Sequence, residues 1–161
     1  MLDAVVSPEG IEKVFLSMKS GKALGPVGLP IELYKDSWSI IRGSVIEAIQ
    51  SFFITGFLSK YINNIVIALI PKLPNHQNMK NFGPIACCNT IYKGISAILA
   101  PRIKTMLPKV IGINQSTYIP GGQITDGILL MQELVCGYHR KSGMPICALK
   151  VDIMKAYDYV H

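Results

Sequence analysis

The chain has 161 residues, a length typical of one domain or of part of one. Half of its residues are apolar and 16% are charged, which excludes intrinsic disorder and a collagen-like repeat. Lysine and arginine together number 16 against 10 aspartates and glutamates, so the net charge of +6 favours acidic partners such as nucleic acid only modestly.

The first half of the chain predicts two helices separated by a loop. Ser7 and Pro8 are typical of a helix start, and four apolar residues follow them at helical spacing. Glycines and prolines concentrated over residues 21–30 predict a loop. Ser37 is the predicted N-cap of the second helix, which Gly56 should end.

The middle of the chain predicts strands followed by a helix. A β-branched run over residues 65–70 predicts a buried strand, and a polar link leads from it to a short extended segment over 82–88. Residues 92–107 predict a helix with an apolar side. Pro101 should kink or split this helix, because a proline inside a helix costs about 3 kcal/mol.

The last third predicts another helix and a strand. Apolar residues at intervals of three and four predict a helix over 124–138, capped by Thr125. Alternating apolar residues over 146–153 predict a strand, with Asp152 on its more polar face near the strand end. Because the chain stops at position 161, soon after this strand, we expect an incomplete domain.

The termini and the cysteines bear on the cellular compartment. The longest apolar run is far shorter than the ~20 residues that span a membrane, and no basic signal-peptide start is present, which predicts an intracellular chain. Cys87 and Cys88 suit neither a disulfide framework nor a redox site. Cys136 and His139 have the spacing of zinc ligands without a second pair, so two interpretations stay open: a zinc site, or the free buried thiols that the composition favours.

Asp152 and Asp158 flank a segment that begins at a predicted strand end. A carboxylate in such a place can bind Mg²⁺, which takes only one or two protein carboxylates and fills its remaining positions with water and substrate phosphates. The alternative is that Asp152 caps a turn and that Asp158 is a solvated surface charge. Basic residues spread over positions 19–109 permit phosphate contacts, although a solvated basic face is the commoner case.

Five short motifs follow one another along nearly the whole chain. They occupy residues 21–28 (GKALGPVG), 68–72 (ALIPK), 81–89 (NFGPIACCN), 114–126 (NQSTYIPGGQITD) and 150–158 (KVDIMKAYD). In that order they resemble the KAPGPDG loop, the first fingers motif, the FRPIS motif, the segment before the palm and the first palm motif of reverse transcriptases from LINE-type (non-LTR) retrotransposons. The Cys-Cys-Asn that ends the third motif is most similar to the plant kind.

The resemblance implies an α+β fold, that of the fingers of a right-hand polymerase with the start of its palm. The fingers-like part would run over about 1–145, and the first palm strand and motif over 146–161. The implied partners are an RNA template, a DNA primer and deoxynucleoside triphosphates. Because such elements copy themselves at chromosomal targets, the parent protein would act in the nucleus.

The resemblance also assigns roles to four residues. Asp152 would be the catalytic residue and a metal ligand, and the Ile153 carbonyl would be a second ligand. Two Mg²⁺ ions held there would activate the primer 3′-hydroxyl and neutralise the triphosphate in an in-line displacement. Lys72, Tyr157 and Ile153 would bind the substrate, with Lys72 as a point charge on the triphosphate and Tyr157 as a steric gate against a ribose 2′-hydroxyl. Alternatively, Tyr157 is a core residue and Lys72 a solvated one.

Several positions depart from the family pattern. Gly83 stands where the family has an arginine that grips the triphosphate, and Gly122 stands where it has a second cation. Leu24 and Val27 replace a proline and an aspartate of the loop motif. The second palm motif and the thumb would lie beyond position 161, so we expect the chain to be inactive alone. Two other outcomes stay open: a non-catalytic nucleic-acid-binding remnant, and a product without function that aggregates through exposed apolar surface.

Overall fold

The computed structural model describes residues 5–72, 74, 78–112, 115, 121–136, 138, 147, 149–151 and 153. They belong to two compact units, one within residues 1–110 and the other within 111–161. No helix in this described part of the chain has both the length and the apolar character needed to cross a membrane.

The first unit combines helices with a two-stranded sheet, and the second contains a helix. In chain order, the elements are α1 (Pro8–Ser17), α2 (Ile31–Asp36), α3 (Trp38–Thr55), α4 (Lys60–Asn63), β1 (Ile65–Pro71), a 3₁₀ turn (Met79–Asn81), β2 (Phe82–Cys88), α5 (Thr90–Val110) and α6 (Ile124–Cys136). This mixture of helices and a small sheet confirms the predicted α+β class.

Helix α1 begins as its sequence predicts. The Oγ of Ser7 accepts a hydrogen bond from the backbone N–H of Gly10 at 3.1 Å. Pro8 occupies the first helical position, where a backbone N–H would have no partner within the helix, so the missing N–H of proline costs no hydrogen bond. Ile11 and Phe15 lie one helical turn apart and are fully buried. The apolar stripe of α1 therefore faces the core of the first unit.

The core of the first unit surrounds the ring of Phe15. That ring lies 5.8 Å from the ring of Tyr34 and 5.6 Å from that of Trp38, within the usual range of aromatic pairs. On another side, a Cβ added to Gly94 of α5 would stand 2.5 Å from Phe15 Cε2. The buried apolar residues are Val6, Ile11, Phe15, Ile31, Tyr34, Trp38, Val45, Ile49, Ile95 and Ile98. Helices α1, α2, α3 and α5 thus share one core.

Helix α3 begins and ends at the predicted residues. Gly56 adopts φ 69°, a left-handed conformation that glycine reaches without steric cost, and it terminates the helix. Ser37 is the N-cap residue of α3, as predicted, but its side chain makes no capping hydrogen bond. The reason is α2, which ends immediately before Ser37 and brings the chain directly into α3.

The two predicted strands pair with each other. β1 and β2 are antiparallel, and the register runs from Ile65 opposite Cys88 to Pro71 opposite Phe82. The prediction that β1 is buried is wrong, because Ile67 is 59% exposed and the other large apolar residues of β1 are close to half exposed. A two-stranded ribbon presents both faces, so an apolar run alone does not show that a strand is covered.

The prediction that Pro101 splits α5 is also wrong. The helix runs without a break through Pro101 and Pro108 to Val110. Its buried residues lie before Pro101, whereas Pro101 itself is exposed.

Helix α6 was predicted, but Thr125 is not its N-cap. Thr125 lies inside the first turn, and its Oγ1 donates to Gln123 Oε1 at 3.2 Å. The backbone N–H of Gln123 donates to Asp126 Oδ2 at 3.3 Å, so Asp126 satisfies a backbone donor at the helix start. Of the strand predicted over residues 146–153, the structure describes 147, 149–151 and 153, and none of these five residues belongs to a strand, so they do not confirm the prediction.

Candidate functional site

The structure describes two of the four predicted site residues. Asp152 and Tyr157 lie outside the described residues. Ile153 is 63% exposed and belongs to the second unit. Lys72 belongs to the first unit and directly follows β1, where its side chain is exposed. The assembly of these four residues into one site therefore stays a prediction.

Lys72 lies at the far end of the β1–β2 hairpin. Its backbone N–H donates to the carbonyl of Asn81 at 2.7 Å, which continues the pairing of the two strands by one bond. Its side chain runs over Gly83, since a Cβ placed on that glycine would stand 3.4 Å from Lys72 Cε. Position 83, where the family has an arginine, is thus the immediate neighbour of Lys72 on the same face of the hairpin.

Residues 21–30 form the predicted loop, which we call the glycine loop. Its side chains are mostly exposed, but hydrogen bonds and close contacts hold its backbone at several points. Its central turn is closed by the N–H of Gly28, which donates to the carbonyl of Gly25 at 2.9 Å. A Cβ on Gly25 would stand 2.4 Å from the backbone nitrogen of Asn89 and 2.5 Å from the carbonyl carbon of Cys88. Only a residue without a side chain allows the loop to approach the end of β2 this closely.

Asn89 is the buried polar residue that holds the glycine loop. It is 5% exposed, and its Oδ1 accepts from the N–H of Val27 at 3.0 Å. Its Nδ2 donates to the carbonyls of Tyr61 and Ile62 at 3.0 Å and of Asn64 at 3.2 Å. Both ends of the buried amide therefore have partners, as a buried polar group requires.

The first turn of α5 supplies two more contacts to the glycine loop. Thr90 Oγ1 donates to the carbonyl of Leu29 at 2.6 Å, and Lys93 Nζ donates to the carbonyl of Ala23. The ammonium of Lys93 is thus engaged with the protein backbone. These contacts tie the loop to a helix whose next residues, Gly94 and Ile95, lie in the core.

Glu32 of α2 holds the start of the glycine loop. Its Oε1 accepts from the N–H of Gly21 at 2.7 Å. Hydrogen bonds from its own backbone N–H and from that of Gly21 lower the pKa of the Glu32 carboxyl below its usual value, with smaller contributions from the Ser20 hydroxyl and the Lys35 ammonium. The carboxylate form is therefore the one that the folded loop favours.

The structure tests the expected metal chemistry only in part. Among the residues it describes, no three His, Cys, Asp or Glu side chains lie close enough together to hold a metal ion. The predicted ligand Asp152 and the possible zinc ligand His139 lie outside the described residues. Cys136 and Cys147 are free and exposed, so the expectation of buried thiols is wrong for them, whereas Cys87 and Cys88 are free and half-buried.

The family match decides what kind of protein contains these features. The family described as reverse transcriptase (RNA-dependent DNA polymerase) matches residues 70–161, more than half of the chain. The chain belongs to the reverse transcriptase family. The matched range contains Lys72, Gly83 and Asn89, together with the predicted palm motif.

A relative of this reverse transcriptase segment comes from a frog. The "Transposon TX1 uncharacterized 149 kDa protein" of Xenopus laevis is 27% identical over 159 residues, which is 99% of this chain. The chain spans only 12% of that protein's length. The expectation that the chain is part of a reverse transcriptase domain is confirmed, whereas an amphibian relative gives no support to the plant kind.

Mg²⁺, nucleic acid and nucleotides are general expectations for the family.

Reasoning from the sequence missed the residues that hold the glycine loop. Glu32 lies on a helix that was not predicted, and Asn89 entered only as part of a motif, with no role assigned to it. The available signal was the position of Asn89 and Thr90 as adjacent polar residues directly after a mostly apolar strand. A polar residue there is most simply a helix cap, and nothing local indicates partners as far away in sequence as Val27.

Proposed function

We propose that the chain takes part in RNA-directed DNA synthesis by a non-LTR retrotransposon, and that Lys72 binds the triphosphate of the incoming deoxynucleotide. The observation that carries this proposal is the placement of Lys72, exposed at the end of β1 and inside the matched range. Its backbone is held by Asn81 while its ammonium lies in solvent, so the charge is available to a phosphate.

The remaining assignments rest on the motif resemblance. Asp152 would be the catalytic residue and, with the Ile153 carbonyl, would hold Mg²⁺, which supplies charge neutralisation of the triphosphate when bound. Tyr157 would be the steric gate of the nucleotide site. We assign residues 1–145 to the fingers and 146–161 to the start of the palm. The closer kinship with plant elements rests on the adjacent cysteines and asparagine at 87–89.

The proposal is tested by triphosphate binding to the purified chain in Mg²⁺. We expect Lys72→Gln to weaken the binding of a deoxynucleoside triphosphate by about 10-fold or more, because a charge-assisted hydrogen bond contributes about 1.5–3 kcal/mol. Lys72→Arg should retain most of the affinity. The matched control is Lys80→Gln, which removes an exposed charge from the same end of the hairpin. Equal affinities of Lys72→Gln and the unmodified chain would contradict the proposal.

A primer-extension assay with an RNA template, Mg²⁺ and four deoxynucleotides tests the catalytic assignments. The chain alone is expected to give no extension. Extension that Asp152→Asn abolishes would contradict the expected inactivity and support Asp152 as the catalytic residue. Extension that survives Asp152→Asn would overturn that assignment.

The second candidate is nucleic-acid binding without catalysis, which the net charge of +6 and exposed lysines such as Lys22, Lys72 and Lys80 favour. RNA affinity that falls steeply with salt, through counterion release, would support it. This candidate would be favoured over the first if RNA affinity fell steeply with salt while Lys72→Gln left the triphosphate affinity unchanged.

A further inference from the structure

We propose that Asn89 is a positioning residue that sets the direction of the β1–β2 hairpin relative to the helices of the first unit, and thereby the position of Lys72. The importance of Lys72 rests on the proposed function. The role of Asn89 in holding the hairpin does not, and it can be measured separately.

Asn89 contacts both ends of the hairpin base. β1 begins directly after Asn64, and β2 ends directly before Asn89. The Nδ2 of Asn89 donates to the Asn64 carbonyl at 3.2 Å, so the side chain of the residue that follows the hairpin binds the residue that precedes it. Its bonds to Tyr61 and Ile62 add the short helix α4 to the same junction.

The junction is connected to the core through the glycine loop and α5. Asn89 binds the loop through Val27, and the neighbouring Thr90 binds it through Leu29. Helix α5 then packs into the core, where Gly94 touches the ring of Phe15. The hairpin base is therefore joined to the helices by partly buried hydrogen bonds.

The rest of the hairpin has little support of its own. The large apolar residues of β1 are close to half exposed along both faces, as is Ile85 of β2, and an isolated two-stranded hairpin is only marginally stable. β1 has seven residues, so Lys72 lies about 23 Å from Ile65 at the base, at about 3.3 Å per residue. A tilt of about 10° at the base would move Lys72 by about 4 Å, which exceeds the tolerance of a hydrogen bond to phosphate.

The chemistry of the junction requires an asparagine. Three carbonyl oxygens face Nδ2 and one N–H faces Oδ1, so the site needs a donor and an acceptor in one short side chain. Alanine would leave these backbone groups without their side-chain partner. Aspartate would add a buried carboxylate facing three carbonyl oxygens, which is costlier still.

The experiment measures the distance between the hairpin end and the helices. Spin labels are attached at Lys80→Cys and at Ser39→Cys, both exposed positions, in a chain whose four cysteines are replaced by alanine. We expect one narrow distance distribution in the parent chain and a distribution broadened by several Å in Asn89→Ala. Asn89→Ser, which keeps one donor and acceptor, is the milder variant should Asn89→Ala fail to fold. Asn63→Ala, at an exposed asparagine of α4, is the matched control and should leave the distribution unchanged.

The same variants are titrated with a deoxynucleoside triphosphate in Mg²⁺, and circular dichroism checks that each is folded. We expect the Asn89 variants to bind about 10-fold more weakly than the parent, with the Asn63 control unaffected. An unchanged distance distribution in folded Asn89 variants would overturn the proposal. Broadening without loss of affinity would overturn the link to Lys72. A parent chain that binds no triphosphate would refute the proposed function of Lys72, while broadening would still support the role of Asn89.

Discussion

The side chain of Lys72 lies over the bare backbone of Gly83, with 3.4 Å between Lys72 Cε and the place of a Cβ on that glycine. The register explains this contact: Gly83 pairs with Ile70, and Lys72 is two residues further along the same strand direction. The motif that residues 81–89 resemble implies an arginine at position 83. This chain therefore keeps one of two cations that would be neighbours on one face of the hairpin.

Restoring the second cation should strengthen triphosphate binding. We expect Gly83→Arg to raise the affinity for a deoxynucleoside triphosphate by about 10-fold or more at low salt, through charge-assisted hydrogen bonds worth about 1.5–3 kcal/mol. The gain should shrink as salt rises, because the site is exposed. Titrations at two salt concentrations check this, with Gly83→Gln as the uncharged control of similar length. An affinity that Gly83→Arg leaves unchanged would argue against a triphosphate site beside Lys72.

The close approach of the glycine loop to β2 should make Gly25 intolerant of a side chain. We expect Gly25→Ala to lower the free energy of unfolding by about 1–3 kcal/mol, because its Cβ would meet backbone atoms of Cys88 and Asn89. Gly43→Ala is the control: it lies inside α3 with nothing near its Cβ, and it should raise stability by about 0.5–1 kcal/mol. Urea unfolding measures both. Two variants of equal stability would contradict the packing at Gly25.

The contact between α1 and α5 should appear as coupling between Phe15 and Gly94. Gly94→Ala is expected to destabilise the chain by about 1–3 kcal/mol, since its Cβ would overlap the ring of Phe15. Phe15→Leu removes that overlap, so the double variant should lose less stability than the two single variants together, with a coupling of about 0.5–3 kcal/mol. A double-mutant cycle in urea gives this value. If the stability losses of the two single variants simply add, the predicted coupling between Phe15 and Gly94 is contradicted.

The lowered pKa of Glu32 predicts how stability depends on pH. A carboxyl whose pKa is lower in the folded than in the unfolded chain stabilises the fold above its unfolded pKa, and that contribution is lost as the pH falls through the folded pKa. Glu32→Gln should therefore have a lower Tm than the parent near neutral pH, and the difference should shrink on acidification. Thermal melts from about pH 7 to about pH 3 check this, with Glu47→Gln on the exposed face of α3 as the charge-matched control. A difference that does not change with pH would contradict it.

The elements that were predicted and those that were missed differ in length. α1, α3 and α5 have enough turns for an apolar stripe to repeat, and all three were predicted. α2 and α4 have six and four residues, too few for a helical period to show. The predicted cap position at Ser37 is confirmed without its side-chain hydrogen bond, and the predicted split at Pro101 is wrong because the helix continues through that residue.

The sequence by itself determined the helices with caps and long apolar stripes, the two strands of the hairpin, and the family. These features depend on neighbours within a few residues or on the order of motifs, so they can be found without coordinates. Only the tertiary structure decided that the hairpin is half exposed, that Gly25 must lack a side chain and that Asn89 holds the glycine loop. Asn89 and Val27 are 62 residues apart, and burial and hydrogen-bond partners over such separations arise from chain folding that no local pattern encodes.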